Sequence, residues 1–212
     1  PLRINVEFVS ANPTGPVHVG GTRNAAYGDA LSRLLAFQGH DVHREFYVND
    51  YGSQVRRLGE SIQARARGEE PPEDGYRGAY INDLAAEIDG AASLPVEEVA
   101  QLGVQRVREQ VQASLTRFRV LFDVWFSERS LHEGSPSAVD HGFEVLERQG
   151  RTFREDGALW LRTTEFGDDK DRVLERSNGE HTYFASDIAY HQEKRERGFD
   201  LMIDVWGADH HG

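Results

Sequence analysis

The sequence predicts an α/β protein, a Rossmann-like parallel sheet interrupted by a mostly helical connective insertion with short β-hairpins. Three observations predict it. The first 48 residues read strand, glycine-rich junction, helix, strand, the opening of a right-handed βαβ unit. A charged, proline-broken stretch, RGEEPPEDG (67–75), then marks a boundary before long helical periodicity. Finally the texture changes to short strands with an Asn-Gly turn, followed by one more helix and an apolar strand.

Each element follows from local pattern. INVEFV (4–9) is an apolar run with Glu7 inside it. Residues 22–38 set Ala25, Ala26, Ala30, Leu31, Leu34 and Phe37 on one helical face, and Gly39 supplies a stop. HDVHREFYV (40–48) alternates like a strand, and residues 51–67 return to helical spacing. Helices are expected over 80–88 and 96–122. The second carries a stripe at Val96, Val99, Val107, Val111, Leu115, Phe118 and Phe122, an ordinary core face. FDVWFSE (122–128) reads as a strand and 137–149 as a helix. ALWLR (158–162), RVLER (172–176) and HTYF (181–184) read as strands, the last two joined through SNGE as a hairpin. A helix over 187–196 and a buried strand, LMIDVW (201–206), complete the pattern. The resulting division is a first core segment at 1–70, an insertion at 71–178 and a return to the core at 179–212.

Composition excludes several classes of function. There is no cysteine, which removes disulfide scaffolds, thiolate zinc sites and thiol catalysis. No apolar stretch reaches the roughly 18 to 20 residues that cross a bilayer. With 24 Lys and Arg against 36 Asp and Glu, the formal charge of −12 has the wrong sign for a free-standing nucleic-acid binder. The expectation is a cytoplasmic protein with no membrane or DNA partner. The ends, Pro1 and DVWGADHHG, read as those of an excerpt from a larger polypeptide. Gly-x-x-x-x-Gly-Lys-Ser/Thr and Gly-x-Ser-x-Gly are both missing, so neither a P-loop nor a nucleophile elbow is in view.

Chemistry concentrates at strand ends. ANPTGPVHVGG (11–21) lies where open sheets bind ligands, beyond a strand and before a helix N-terminus that favours an anion. The junction is read either as a phosphate cradle with His18 as donor or as a tight βα turn with a surface histidine. Glu7 awaits a cation, either a ligand or a structural partner. Tyr183 and Asp187, four apart, share a helical face, unless Asp187 is simply an N-cap. DVWGADHHG (204–212) ends a strand in Gly207, Asp209, His210 and His211, suited to a ribose; adjacent histidines diverge, and no protein-bound metal is predicted.

Five ordered blocks carry a specific resemblance. VEFVSANPTGPVHVGGTRNAAYGDAL, REFYVNDYGSQ, FDVWFSERSL, DGALWLRTTEFGDDKDRVLERSNGEHTYFASDIAYH and RGFDLMIDVWGADHHG resemble the catalytic core of bacterial arginyl-tRNA synthetases, which are class I aminoacyl-tRNA synthetases. The likeness is weakest between about 65 and 120. It implies ATP-dependent activation of L-arginine and transfer to tRNA(Arg), with ATP and Mg2+ as a substrate complex. The family's His-hydrophobic-Gly-His signature matches at His18, Val19 and Gly20, with Gly21 in place of the second histidine. The resemblance assigns catalysis to His18, Gly20 and Gly21. It assigns ATP to Ala11, Asn12, Pro13, Thr14, Gly15, Pro16, Val17, His18, Val19, Gly20 and Gly21, with Gly207, Asp209 and His210 at the nucleoside. Arginine falls to Glu7, Asn12, Tyr183 and Asp187; a guanidinium fork suits carboxylates and a tyrosine oxygen. The family's Lys-Met-Ser-Lys-like loop and its tRNA-binding domains match nothing within these residues. The alternatives are a module that binds arginine or nucleotide without turnover, or a related nucleotidyltransferase.

Overall fold

In the computed structural model, which describes residues 1–207, the chain forms β1 (Arg3–Phe8), α1 (Val19–Phe37), β2 (Asp41–Val48), α2 (Ser53–Ala66), α3 (Ala79–Glu87) and α4 (Val96–Arg117). It continues through β3 (Val124–Ser127), α5 (Ala138–Arg148), β4 (Thr152–Glu155), β5 (Ala158–Leu161), β6 (Arg172–Glu175), α6 (Tyr183–Glu196) and β7 (Leu201–Val205). Four strands make one parallel sheet in the order β3–β2–β1–β7, and β4–β5–β6 make a separate antiparallel sheet. The strand order reverses direction at β1, which lies between β2 and β7, and ligands of such sheets collect at that crevice.

The pleat sorts β1 onto two faces. Ile4, Val6 and Phe8 face a core shared with α1, α2, α3 and α4, and Phe46, Phe122 and Trp125 extend it. Asn5 and Glu7 face the opposite way, toward α6. On that second face Tyr47, Phe126 and Tyr190 pack with ring centroids 4.6 and 4.7 Å apart around Tyr190. Leu131, Val139, Phe143, Leu159, Leu161 and Leu174 continue this second core into the small sheet.

Several expectations are corrected. α1 turns Ala25, Gly28 and Ser32 inward, while Ala26, Ala30, Leu34 and Phe37 are exposed. Small residues let its backbone approach β1: a Cβ at Gly28 would sit 2.2 Å from the Phe8 ring. HTYF is not a strand. One bridge, Glu175 to His181, closes the turn, and α6 begins at Tyr183 with Thr182 as N-cap. Asp187 therefore lies inside the helix and does not cap it. β4 pairs with β5 although it carries no clear strand signal, and β7 is half-buried rather than buried. Finally, β3 pairs with β2 in the core sheet, so the span 71–178 is divided by a core strand into a helical part and a mixed part.

α6 docks on the sheet through buried charge. Lys194 is fully buried, and its Nζ lies 2.6 Å from Glu7 Oε2 and 2.7 Å from Asp204 Oδ1. Arg197 donates both terminal nitrogens to Glu45, at 2.7 and 2.8 Å, and Tyr190 Oη donates to the same carboxylate at 2.7 Å. Burial alone would raise the Glu45 pKa, but Arg197 and Tyr190 hold it below the usual carboxylate range.

Candidate active site

The chain leaves β1 through left-handed backbone at Val9 and Ser10, with φ of +70° and +29°. A β-branched residue rarely adopts this conformation, and such strain persists where surrounding contacts enforce it. Ser10 Oγ is one such contact, accepting from Tyr47 N–H at 3.0 Å. The loop that follows ends at His18, the N-cap of α1. Gly20 and Gly21 N–H donate to His18 Nδ1 at 3.1 and 3.4 Å. An accepting Nδ1 fixes the proton of the neutral ring on Nε2, leaving that N–H as a donor directed outside the cap. The amides of Gly20 and Gly21 are therefore aimed at the histidine ring, and the donor offered outward is the imidazole. A Cβ at Gly20 would stand 2.8 Å from His18 Cε1, so the cap needs glycine there. A side chain at Gly21 would begin 3.3 Å from Val17 Cγ1, which leaves tight room for a second histidine.

On the α6 face of the sheet, carboxylates gather around the Tyr47 hydroxyl. Burial, and then the charges of Glu128, Asp187, Glu7 and Asp50, push that hydroxyl far above its ordinary range. Tyr47 Oη and Glu128 Oε2 are buried without a hydrogen-bond partner among the described residues. Burial pushes the Glu128 carboxyl up to about 7, against the Ser186 and Tyr47 hydroxyls that favour its charge, and the neighbouring Asp187 and Asp50 charges add to the rise. Asp50 is satisfied by Ser127 Oγ at 2.6 Å and Arg129 N–H at 3.0 Å. Glu7 is answered by Lys194. Among the described residues, the recess thus holds a buried acid with no ion-pair partner, Glu128, close to a solvent-facing one, Asp187. A hard, planar cation with several N–H donors complements such a site.

The predicted residues distribute as follows. Ala11, Asn12, Pro13, Thr14, Gly15, Pro16, Val17, His18 and Gly21 border one cavity on the α4 side of the loop, and Val19 and Gly20 begin the helix. Asn12 and His18 are exposed. Tyr183 and Asp187 stand one turn apart on α6, Tyr183 at 80% exposure. Gly207 follows β7, while Asp209 and His210 lie outside the described residues. Glu128 and Lys194 were not anticipated. A carboxylate just beyond an apolar strand, FDVWFSE, was the available signal for Glu128. Lys194 had none, because charge on a helix ordinarily marks a solvated face.

The chain is similar to known proteins in both sequence and fold. Residues 2–72 match the family described as tRNA synthetases class I (R), catalytic domain. The arginine–tRNA ligase of Syntrophotalea carbinolica is 50% identical over 99% of this chain and 40% of its own length. That of Nitratidesulfovibrio vulgaris strain DP4 is also 50% identical, with the same 99% and 40% coverage. A solved Campylobacter jejuni structure described as an arginyl-tRNA synthetase superposes with a TM-score of 0.92 at 36% identity, covering 100% of this chain and 49% of that one. The Thermus thermophilus arginyl-tRNA synthetase gives 0.67 at 28% identity, covering 90% of this chain and 35% of its own. The chain thus spans 40% of the length of the curated relatives it matches. In sequence and in fold, the chain is similar to part of the catalytic region of class I arginyl-tRNA synthetases.

Proposed function

We propose that the protein activates L-arginine with ATP and transfers it to tRNA(Arg), acting in the cytoplasm and taking ATP as its Mg2+ complex. The observation that carries this reading is the acidic recess around Tyr47, with Glu128 buried beside Asp187 and without an ion-pair partner among the described residues. A guanidinium entering it would replace the missing cation. Glu128 and Asp187 would accept its N–H groups, with Tyr183 alongside and Asn12 toward the substrate's α-carbon end. Glu7 would act through Lys194, fixing α6 against β1.

In the reaction an arginine carboxylate oxygen attacks the α-phosphorus in line. The new O–P bond forms as the bond to the β-phosphate oxygen breaks, and pyrophosphate leaves with the electron pair. No enzyme nucleophile is needed, so catalysis consists of positioning and charge stabilisation. His18 Nε2–H would donate to phosphate oxygens as charge shifts toward the leaving group. Gly207, Asp209 and His210 would seat the nucleoside. A terminal ribose hydroxyl of tRNA then attacks the arginyl carbonyl and releases AMP. On this reading residues 1–70, β3 and 179–212 form the nucleotide-binding core, and the remainder of 71–178 is connective.

The test is arginine-dependent ATP–pyrophosphate exchange by the full-length protein, followed by charging of tRNA. Asp187→Ala is expected to weaken arginine binding by about 100-fold or more, the loss of a charge-assisted pair, while ATP binding stays within about twofold. No exchange in the wild type refutes the activity. Equal losses for both ligands remove Asp187 from the amino-acid site.

A further inference from the structure

The loop between Ala11 and His18 has little to hold it. Pro13 and Pro16 have no N–H to offer. Among the described residues, the only hydrogen bond made by the backbone of residues 12–17 is accepted by the Thr14 carbonyl, from Tyr80 Oη at 2.7 Å. The ring belongs to α3, a helix anchored by fully buried Ile81 and Leu84. It packs so closely on the loop that a Cβ at Gly15 would lie 3.3 Å from the phenol oxygen. Burial raises the hydroxyl's pKa and keeps it a donor. Beneath the loop is a cavity of about 370 Å³, bordered by Val48, Val111, Trp125 and Arg108. A loop released from Tyr80 has space to sink there and take His18 out of register.

We propose that Tyr80 is a positioning residue for this loop: by holding the Thr14 carbonyl it keeps His18 presented to the nucleotide. The inference rests on the reading of the loop as the phosphate site. It gives the helical segment between β2 and β3 a part in catalysis.

Tyr80→Phe removes one oxygen and keeps the ring. In the full-length protein, kcat/KM for ATP in pyrophosphate exchange is expected to fall about five- to tenfold, the population lost with one hydrogen bond. KM for arginine and the melting temperature should hold. Amide hydrogen exchange at Gly20 and Gly21, whose N–H groups donate to His18 Nδ1, should quicken by a similar factor. Unchanged ATP kinetics overturns the proposal, as does a parallel loss for ATP and arginine with a lowered melting temperature, which marks a packing role only. If the wild type shows no arginine-dependent activity, the proposed function fails instead. The loop inference is then decided by amide exchange alone, faster exchange supporting it and unchanged exchange overturning it.

Discussion

Glu128 carries the most informative single charge in the molecule. Its carboxyl titrates near 7 because it is buried beside two other acids, so below that pH it is largely protonated. On the proposed function, a guanidinium favours the carboxylate form, and arginine binding therefore expels a proton from it. The sign follows: arginine affinity rises with pH, by up to about tenfold per unit below the pKa, and levels off above it. Calorimetry in buffers of different ionisation enthalpy should register proton release near neutral pH. In Glu128→Gln the release and the pH slope should both vanish. A slope that survives the substitution assigns the titration elsewhere. At this scale the loop was legible and the recess only partly so. His18 announced itself among glycines and prolines, and Glu7 by being charged within an apolar run. Glu128 read only as the last residue of a strand, because the groups that act on its carboxyl, Tyr47, Asp50, Ser186 and Asp187, come from distant segments.

α6 brings together groups that sequence spacing alone does not relate. Its first turns present Tyr183 and Asp187, and its last turns hold Lys194 between Glu7 and Asp204. Lys194→Met fills similar volume but leaves Glu7 buried without its cation and the half-buried Asp204 with His191 alone. The expected cost is about 3–5 kcal/mol, read as a lower urea midpoint. A loss under about 1 kcal/mol would mean that the triad contributes little to docking. The start of α6 was illegible for a physical reason. HTYF is rich in β-formers, and Thr182 still holds extended backbone while bonding back to β6 at the Val173 and Leu174 carbonyls. α5, by contrast, opens on a readable signal, the reciprocal Ser137–Asp140 cap.

Over the whole molecule, the parallel sheet and its interruption were readable because apolar periodicity changes from two to about 3.6 and back. What could not be read was which face of α1 turns inward. Gly28 and Ser32 are buried, Leu31 and Leu35 pack in part on the core, and two large apolar groups of the helix project outward, Leu34 at 64% and Phe37 at 87% exposure. Close backbone approach outweighs side-chain hydrophobicity there. Phe37→Ser should change unfolding free energy by no more than about 0.5 kcal/mol, whereas Phe8→Ala, which empties the space over Gly28, should cost about 3–5 kcal/mol. Urea denaturation of the two variants checks the contrast, and comparable losses would contradict the orientation of α1. The single ammonium of Lys194 has a consequence for redesign. Because it joins the strand bearing Glu7 to the strand leading to Gly207, on the proposed function any attempt to retrain this scaffold on another amino acid by exchanging Glu7 would also shift the floor beneath the second substrate. The two specificities have to be engineered as one.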